Sequence, residues 1–470
     1  MPRRSKDSPE NLHKQRCHSW DYDIKDWGDS IVSRFDLVCD RKFLFTMASL
    51  LPTLSYAGLM PVAGFAADRL GRKPVSTISG CVLLVAVVGC SVAVNYTIFL
   101  VNRLVLITCG AFSYLTTFVL LYEVTGSAQR WVATLLHMAV AATVVPPFLN
   151  LLSAQEPSWS LAHVVFIVPT AVFATWCSQL DESPVWLLAT RRVKKAKRVI
   201  LAAARLNHVD EEKAKERLQA LCAELRKMQH SDDTLMLPSS LSDAVLEVIK
   251  MRRHAAAAFF SRFACGGVFF GLMITDTLSG LYWQGAHVVF SVACYIVITR
   301  AMNNYGPRHT LQGLLAATCS SAVARATSAY VGFDTAASCV RASMKILASG
   351  SVSVVMCYLG DIFPAQNRCT GMGLSIVIGG IGSIIGTSLA SVRTVRPGFV
   401  FDVFYAVMML LSIFAVQWLP EVFIEKPHSP YVTSPDERKM AMQASLKHKK
   451  KPRARHQRES KTNVGQRTLS

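Results

Sequence analysis

Apolar residues gather in eleven runs, at about 43–63, 75–94, 97–120, 131–153, 160–180, 255–275, 281–301, 309–331, 341–360, 371–391 and 399–419. Most approach the ~20 residues a helix needs to cross a hydrocarbon core of about 30 Å. Several are apolar on every side, the pattern of a helix facing lipid and other helices rather than water. Backbone groups in lipid are satisfied only in helices or closed barrels, and a barrel strand needs only about 10 alternating residues. The runs therefore predict an all-α polytopic membrane protein with 11 spans.

The connectors orient these spans. Asp68, Arg69, Arg72 and Lys73 follow the first run, Arg130 the third, and Arg308 and Arg368 the seventh and ninth. The segment 181–254 follows the fifth and carries Arg191, Arg192, Lys194, Lys195, Lys197 and Arg198, and the tail carries Lys447, Lys449, Lys450, Lys451, Arg453 and Arg455. The opposite connectors are short and less basic, apart from Arg393 and Arg396 in 392–398. The positive-inside bias then puts the basic set, and the C-terminus, in the cytoplasm. An odd span count puts residues 1–41 outside, yet Met1-Pro2-Arg3-Arg4 opens no signal-peptide pattern. The reading expects a first helix that is missing from this chain. Within 181–254, Ala196, Val199, Ile200, Ala203 and Leu206 recur at helical spacing, as do Leu218, Leu221, Cys222 and Leu225. This segment reads as a helical cap bridging two halves, or as a solvated charged linker.

Composition narrows the partners. Of 470 residues, 51% are hydrophobic and 17% charged, with a mean hydropathy of +0.32. The net charge of +19 would suggest nucleic acid on a soluble protein. Here it lies between and after the apolar runs, so a lipid bilayer is the expected partner and nucleic acid is not. The basic stretch 447–458 suits anionic lipid or a solvated tail. Most of the 13 cysteines sit in apolar runs as small hydrophobes, and no Cys-x-x-Cys or His-x-x-x-His spacing suggests a metal site. Cys17 and Cys39 lie in a polar segment, either as an extracellular disulfide or as two separate thiols. No Walker loop, nucleotide fingerprint or paired catalytic carboxylates appear, so neither an enzyme nor a cofactor is expected.

The decapeptide after the first run, Gly64-Phe65-Ala66-Ala67-Asp68-Arg69-Leu70-Gly71-Arg72-Lys73, carries specific chemistry. Gly64 allows close helix approach. Asp68 can pair with a cation or cap a neighbouring helix's positive end. Gly71 permits a tight turn. The decapeptide resembles the signature loop between the second and third helices of the major facilitator superfamily. Further matches narrow the resemblance to the organic cation/anion transporters, solute carrier family 22. These are Cys17-His18-Ser19-Trp20-Asp21-Tyr22-Asp23 and Ser30 to Cys39, then Asn95-Tyr96, Arg103, Glu123, Gly126 and Arg130. Glu182-Ser183-Pro184-Val185-Trp186-Leu187-Leu188, and Asp361-Ile362-Phe363-Pro364-Ala365 with Arg368, extend it. The resemblance implies two helical bundles around a central cavity, working by alternating access. It implies a loop remnant at 1–41, an N-terminal bundle at 42–180, a cytoplasmic helical loop at 181–254, a C-terminal bundle at 255–420 and a basic tail at 421–470. It makes Gly64, Asp68, Arg69, Gly71, Arg72, Arg130, Glu182, Asp361 and Arg368 gating residues.

Departures accompany it. Val185 replaces an arginine, and in Asn303-Asn304-Tyr305-Gly306-Pro307-Arg308, a second copy of the signature, Asn303 replaces an acid and Pro307 an arginine. Asp361 replaces the longer glutamate. A weakened charge clamp is expected.

Ionisable residues within spans are candidate functional sites, because charge at mid-bilayer is costly. Lys345 matches a position commonly cationic in the family, and Arg262 one that often carries tryptophan. Arg325 and Arg341 lie nearer span ends and read as snorkelling. By resemblance, Tyr114, Phe118, Phe263 and Phe269 line a cavity for flat organic ions. The acid that cation transporters carry in the eleventh helix is Gly380 here. The expected substrates are therefore small organic ions, anionic or zwitterionic before cationic. Two alternatives remain, a sugar porter of the same superfamily and a transport-inactive or truncated membrane protein.

Overall fold

The computed structural model describes residues 20–22, 30–126, 129–154, 159–229, 240–250, 252–274, 281–392 and 399–419. Among them every regular element is helical. After a short α1 (Ile31–Phe35) come α2 (Lys42–Leu70), α3 (Arg72–Ser91) and α4 (Tyr96–Val124). Next are α5 (Arg130–Thr143), α6 (Val145–Ala154), α7 (Trp159–Val164) and α8 (Ile167–Gln179). The polar middle segment forms α9 (Pro184–Ala189), α10 (Val193–Leu206), α11 (Glu211–Gln229) and α12 (Leu241–Lys250). The second half holds α13 (Arg252–Ile274), α14 (Leu281–Val331), α15 (Asp334–Ile362), α16 (Arg368–Val392) and α17 (Phe399–Val416).

Eight helices among the described residues are long and apolar enough to cross a membrane. The count differs from eleven for local reasons. The runs at 281–301 and 309–331 are two helical segments of α14 joined across a break at Gly306 (φ 83°), and they count once. The run at 160–180 is divided between two shorter helices, α7 and α8, and α17 is shorter than the others.

The surface is apolar and much of the interior is not. Ile78, Val85, Leu136, Val289 and Val297 are exposed, whereas Ser79, Ser113, Thr116, Ser261 and Ser353 are buried. Hydroxyl-bearing and small residues let helices approach closely where lipid, not water, surrounds the bundle. In the first half α3 packs on α4 and α8, and α2 packs on α4. In the second, α14 packs on α15 and α17, and α13 on α16. The α13–α16 seam is tight: a Cβ on Gly386 would lie 1.9 Å from the carbonyl oxygen of Gly267, and one on Gly382 would lie 2.2 Å from that of Phe263.

The halves meet where α2 packs on α16 and where α5 packs on α14 and α15. From the middle segment, α12 touches both α2 and α16. There the buried Asn367 amide donates to Glu247 of α12.

Each half turns on a glycine. Gly71 (φ 122°) joins α2 to α3, and Gly306 (φ 83°) bends α14. Both conformations are ones that side chains with a Cβ rarely adopt. The second copy of the decapeptide thus keeps its bend while losing its acid; Asn303 is exposed.

Candidate functional site

The end of the bundle that carries α9–α12 is closed by buried charges. Asp68, at the last turn of α2, accepts from the backbone N–H of Cys369 (3.2 Å), and from the N–H and hydroxyl of Thr370 (both 2.8 Å). It caps α16, a helix of the other half, at its positive end. Asp68 also pairs with Arg72 at 3.2 Å. Glu182 plays the matching part within the first half. Its carboxylate accepts from the N–H groups of Arg72 (3.0 Å) and Lys73 (3.2 Å) at the start of α3.

Arg72, fully buried, extends from the first half into the second. It donates to Glu123 on α4 (3.2 Å) and to the Ala365 carbonyl beyond α15 (2.5 Å). Glu123 accepts in turn from Arg368 of α16 at 2.6 Å. One buried carboxylate is therefore shared by two guanidinium groups from opposite halves.

Asp361, at the end of α15, is held by neutral donors, the Tyr122 hydroxyl and the Trp131 indole (3.1 Å). Arg130 and Arg368 both lie over the Tyr122 ring, at 4.7 and 5.1 Å. Trp186 locks the outer edge, its buried indole donating to the Asp68 carbonyl at 2.7 Å. It sits there because Ser183 caps α9 by accepting from the Trp186 N–H, with Pro184 in the first turn. Arg69 is exposed and lies over Phe65, 5.5 Å from its centroid.

A second cluster lies mid-bundle, where the halves meet. Tyr114 stacks near His137 (6.0 Å between centroids) and Phe118 (6.3 Å), and its hydroxyl donates to Met138 Sδ. The Arg262 side chain of α13 lies against Gly379 of α16: a Cβ there would be 3.1 Å from Arg262 Nε. Next to it, Tyr56 Oη fills the space beside Gly380, 3.0 Å from where a Cβ would be. Arg262 Nε and His137 Nε2 are buried and without a hydrogen-bond partner among the described residues.

The other sequence candidates are placed apart. Phe263 stacks near Phe260 and lines an apolar pocket between α13, α16 and α17, with Gly382, Phe404 and Tyr405. Phe269 pairs edge-on with Phe270 at 5.2 Å. Lys345 is buried on α15, one turn before Ser349, which hydrogen-bonds Tyr295 of α14. Cys39 is exposed, and Cys17 lies outside the described residues.

One expectation is overturned. Arg325 does not snorkel; it is fully buried and paired with Asp402 of α17.

Residues 55–426 match the profile of the family described as "Sugar (and other) transporter". The chain belongs to that family. It is a transporter of the major facilitator superfamily, homologous to organic anion and cation transporters. It is 29% identical over 411 residues to Organic anion transporter 3 of Oryctolagus cuniculus, covering 84% of this chain and 72% of the relative. It is 25% identical to the Organic cation transporter protein of Drosophila melanogaster, covering 79% and 68%. The solved proton:xylose symporter XylE shares the fold, with a TM-score of 0.66, 13% identity and coverage of 82% and 88%.

Against this family background, Tyr56, Tyr122, Trp131 and His137 had no place in the sequence reading, nor did Met138 or the Asp68 partners Cys369 and Thr370. Glu123 and Arg130 did carry a signal, because the same spacing separates Asp361 from Arg368 in the other half.

The Asp68 cap depends on close approach at Gly64, where a Cβ would lie 2.4 Å from the Cys369 carbonyl oxygen and 2.8 Å from Thr370 Cα. Both neighbours are backbone and cannot rotate away. Gly64→Ala should therefore destabilise this closed arrangement by about 1–3 kcal/mol. Faster alkylation of Cys369, which is fully buried here, reads the effect; an unchanged rate would show that α2 and α16 are not held at this distance.

Proposed function

We propose that this transporter carries small organic ions by alternating access, anionic or zwitterionic substrates before cationic ones. It is not an enzyme in this reading, and it needs no cofactor or metal. The observation that carries the substrate charge is Arg262, whose buried Nε has no hydrogen-bond partner among the described residues. A half-buried guanidinium whose buried Nε lacks a partner is costly, and a carboxylate or sulfonate of the substrate would supply one. Tyr56, Tyr114, Phe118 and His137 offer flat faces and hydroxyls around it, and Lys345 a further cation on α15. Gly380, with Tyr56 beside it, contributes no acid to favour cations. The names of the relatives support organic ions as the class.

The network of Asp68, Arg72, Glu123, Glu182, Asp361 and Arg368 is the gate at one face. Its basic connectors support a cytoplasmic face, with the C-terminus on the same side of the plasma membrane. Residues 42–180 and 255–420 are the two bundles, bridged by 181–254. A Cys17–Cys39 disulfide would lie on the opposite face.

The test is uptake of labelled organic anions, organic cations and xylose by cells expressing the chain. Anion uptake is expected, and Arg262→Gln should reduce it by about tenfold or more, as loss of one buried charge-assisted contact does. Lys345→Ala should also reduce it. Xylose uptake without ion uptake would establish the sugar-porter alternative, and no uptake by a correctly inserted chain would establish an inactive protein.

A further inference from the structure

The turn between α9 and α10 and the first turns of α10 gather five exposed cations: Arg191, Arg192, Lys194, Lys195 and Arg198. This arrangement opposes local preference. A helix's first turn is its positive end and favours acids, yet the first turn of α10 contains none. Among the described residues no ion pair reaches any of the five. The helix does not form around its charges but around its opposite face. Ala196 and Val199 pack on Trp186 and Leu187, which leaves the basic face outward on a fixed support. A sequence that breaks a local rule on a rigid element is a mark of function rather than of folding.

The level of the patch selects its partner. Glu182, just before α9, caps the start of the apolar span Arg72–Ser91. Trp186 bonds the Asp68 carbonyl at the end of the preceding span. The α9–α10 turn is therefore anchored where two membrane spans end, and Leu70 and Ile78 on those spans are exposed. At that height the anions within reach are lipid headgroups.

We propose that this patch binds the anionic headgroups of the surrounding leaflet, with a polyphosphorylated inositol lipid as its best-matched ligand. Several phosphates on one headgroup satisfy several cations at once, which one phosphatidylserine charge does not. Binding bears on the gate, because Arg192 lies over Trp186 at 4.7 Å and Trp186 holds Asp68. The inference rests on the chain's spanning a bilayer and on the proposed cytoplasmic placement of this face, where such lipids lie, but not on what is carried.

The experiment uses the full chain in phosphatidylcholine nanodiscs, which expose both faces, with fluorescent phosphatidylinositol 4,5-bisphosphate as probe. Saturable binding is expected, about tenfold weaker in Arg191→Gln/Arg192→Gln/Lys194→Gln/Lys195→Gln/Arg198→Gln. It should be retained when the tail after residue 425 is removed, and when Lys213, Lys215 and Arg217 of α11 are neutralised. Wild-type affinity in the five-site variant overturns the proposal, as does loss of binding with the tail alone. Equal affinity for soluble inositol trisphosphate overturns the lipid assignment. Should the five-site variant not fold, Lys194→Gln/Lys195→Gln, which alters two exposed side chains only, gives the same decision through a severalfold loss.

Discussion

Replacing Glu123 with glutamine should destabilise the folded protein by about 3–5 kcal/mol, the cost of breaking a buried ion pair from one side. The Glu123 and Arg72 side chains are both 0% exposed, and Arg368 is 13% exposed. Glutamine keeps the shape of glutamate but leaves Arg72 with the charge of Asp68 and takes from Arg368 its ion pair. Arg72 cannot reach water to recover hydration, and its bond to the Ala365 carbonyl supplies only a dipole. The loss should appear as earlier thermal unfolding in detergent. Cys369, directly beside the Asp68 cap, should also be alkylated faster, because the network joins the halves at that end. Combining Glu123→Leu with Arg72→Met should recover only part of the stability, because it removes one buried pair but takes from Asp68 and Arg368 the partners they have here. It should not restore slow alkylation, because the ion pairs that join Glu123 to both halves are lost. Wild-type stability in Glu123→Gln would mean that water reaches this carboxylate and that the gate is hydrated.

Much of this arrangement was legible in the sequence, for physical reasons that also set the limit. Long apolar runs can only be helices in lipid, so the fold class and the positions of most helices followed directly. Gly71 and Asp68 were readable as a turn and a cap because their chemistry is local. Their partners were not: the Asp68 carboxylate meets Cys369 and Thr370 some three hundred residues away. Periodicity also fails where a helix is apolar on nearly all sides. Arg262 and Phe263 are neighbours in sequence and point to different surroundings, one to the seam between halves and the other to an apolar pocket inside the second. Nothing in an all-round apolar helix distinguishes those faces. The run boundary at 301–309 falls at Gly306 and Pro307, where the backbone leaves helical geometry and divides α14 into two segments.

Arg325 and Asp402 show the same limit in its strongest form, and they carry the second large effect. A cation near the end of an apolar run reads as snorkelling, and an acid in the first turn of α17 reads as an ordinary dipole partner. Together, with both side chains 0% exposed, they form an ion pair between α14 and α17. Asp402→Asn should cost about 3–5 kcal/mol, and Arg325→Met a similar amount, because each strands the other charge in a low-dielectric interior. Among the described residues, Arg325 Nε and Nη2 have no hydrogen-bond partner, so the pair does not recover its full desolvation cost. The double variant Arg325→Met/Asp402→Leu should therefore be close to neutral, or more stable by about 1–4 kcal/mol. A double-mutant cycle on thermal unfolding measures the coupling. Additive losses would mean that the two charges act separately, each solvated in its own way. Strong coupling with a stable double variant would mean that the charges are not needed for stability, because an apolar contact between α14 and α17 serves as well. Anion uptake by that double variant then decides whether the pair is only a registry device between two helices or a part of the transport cycle.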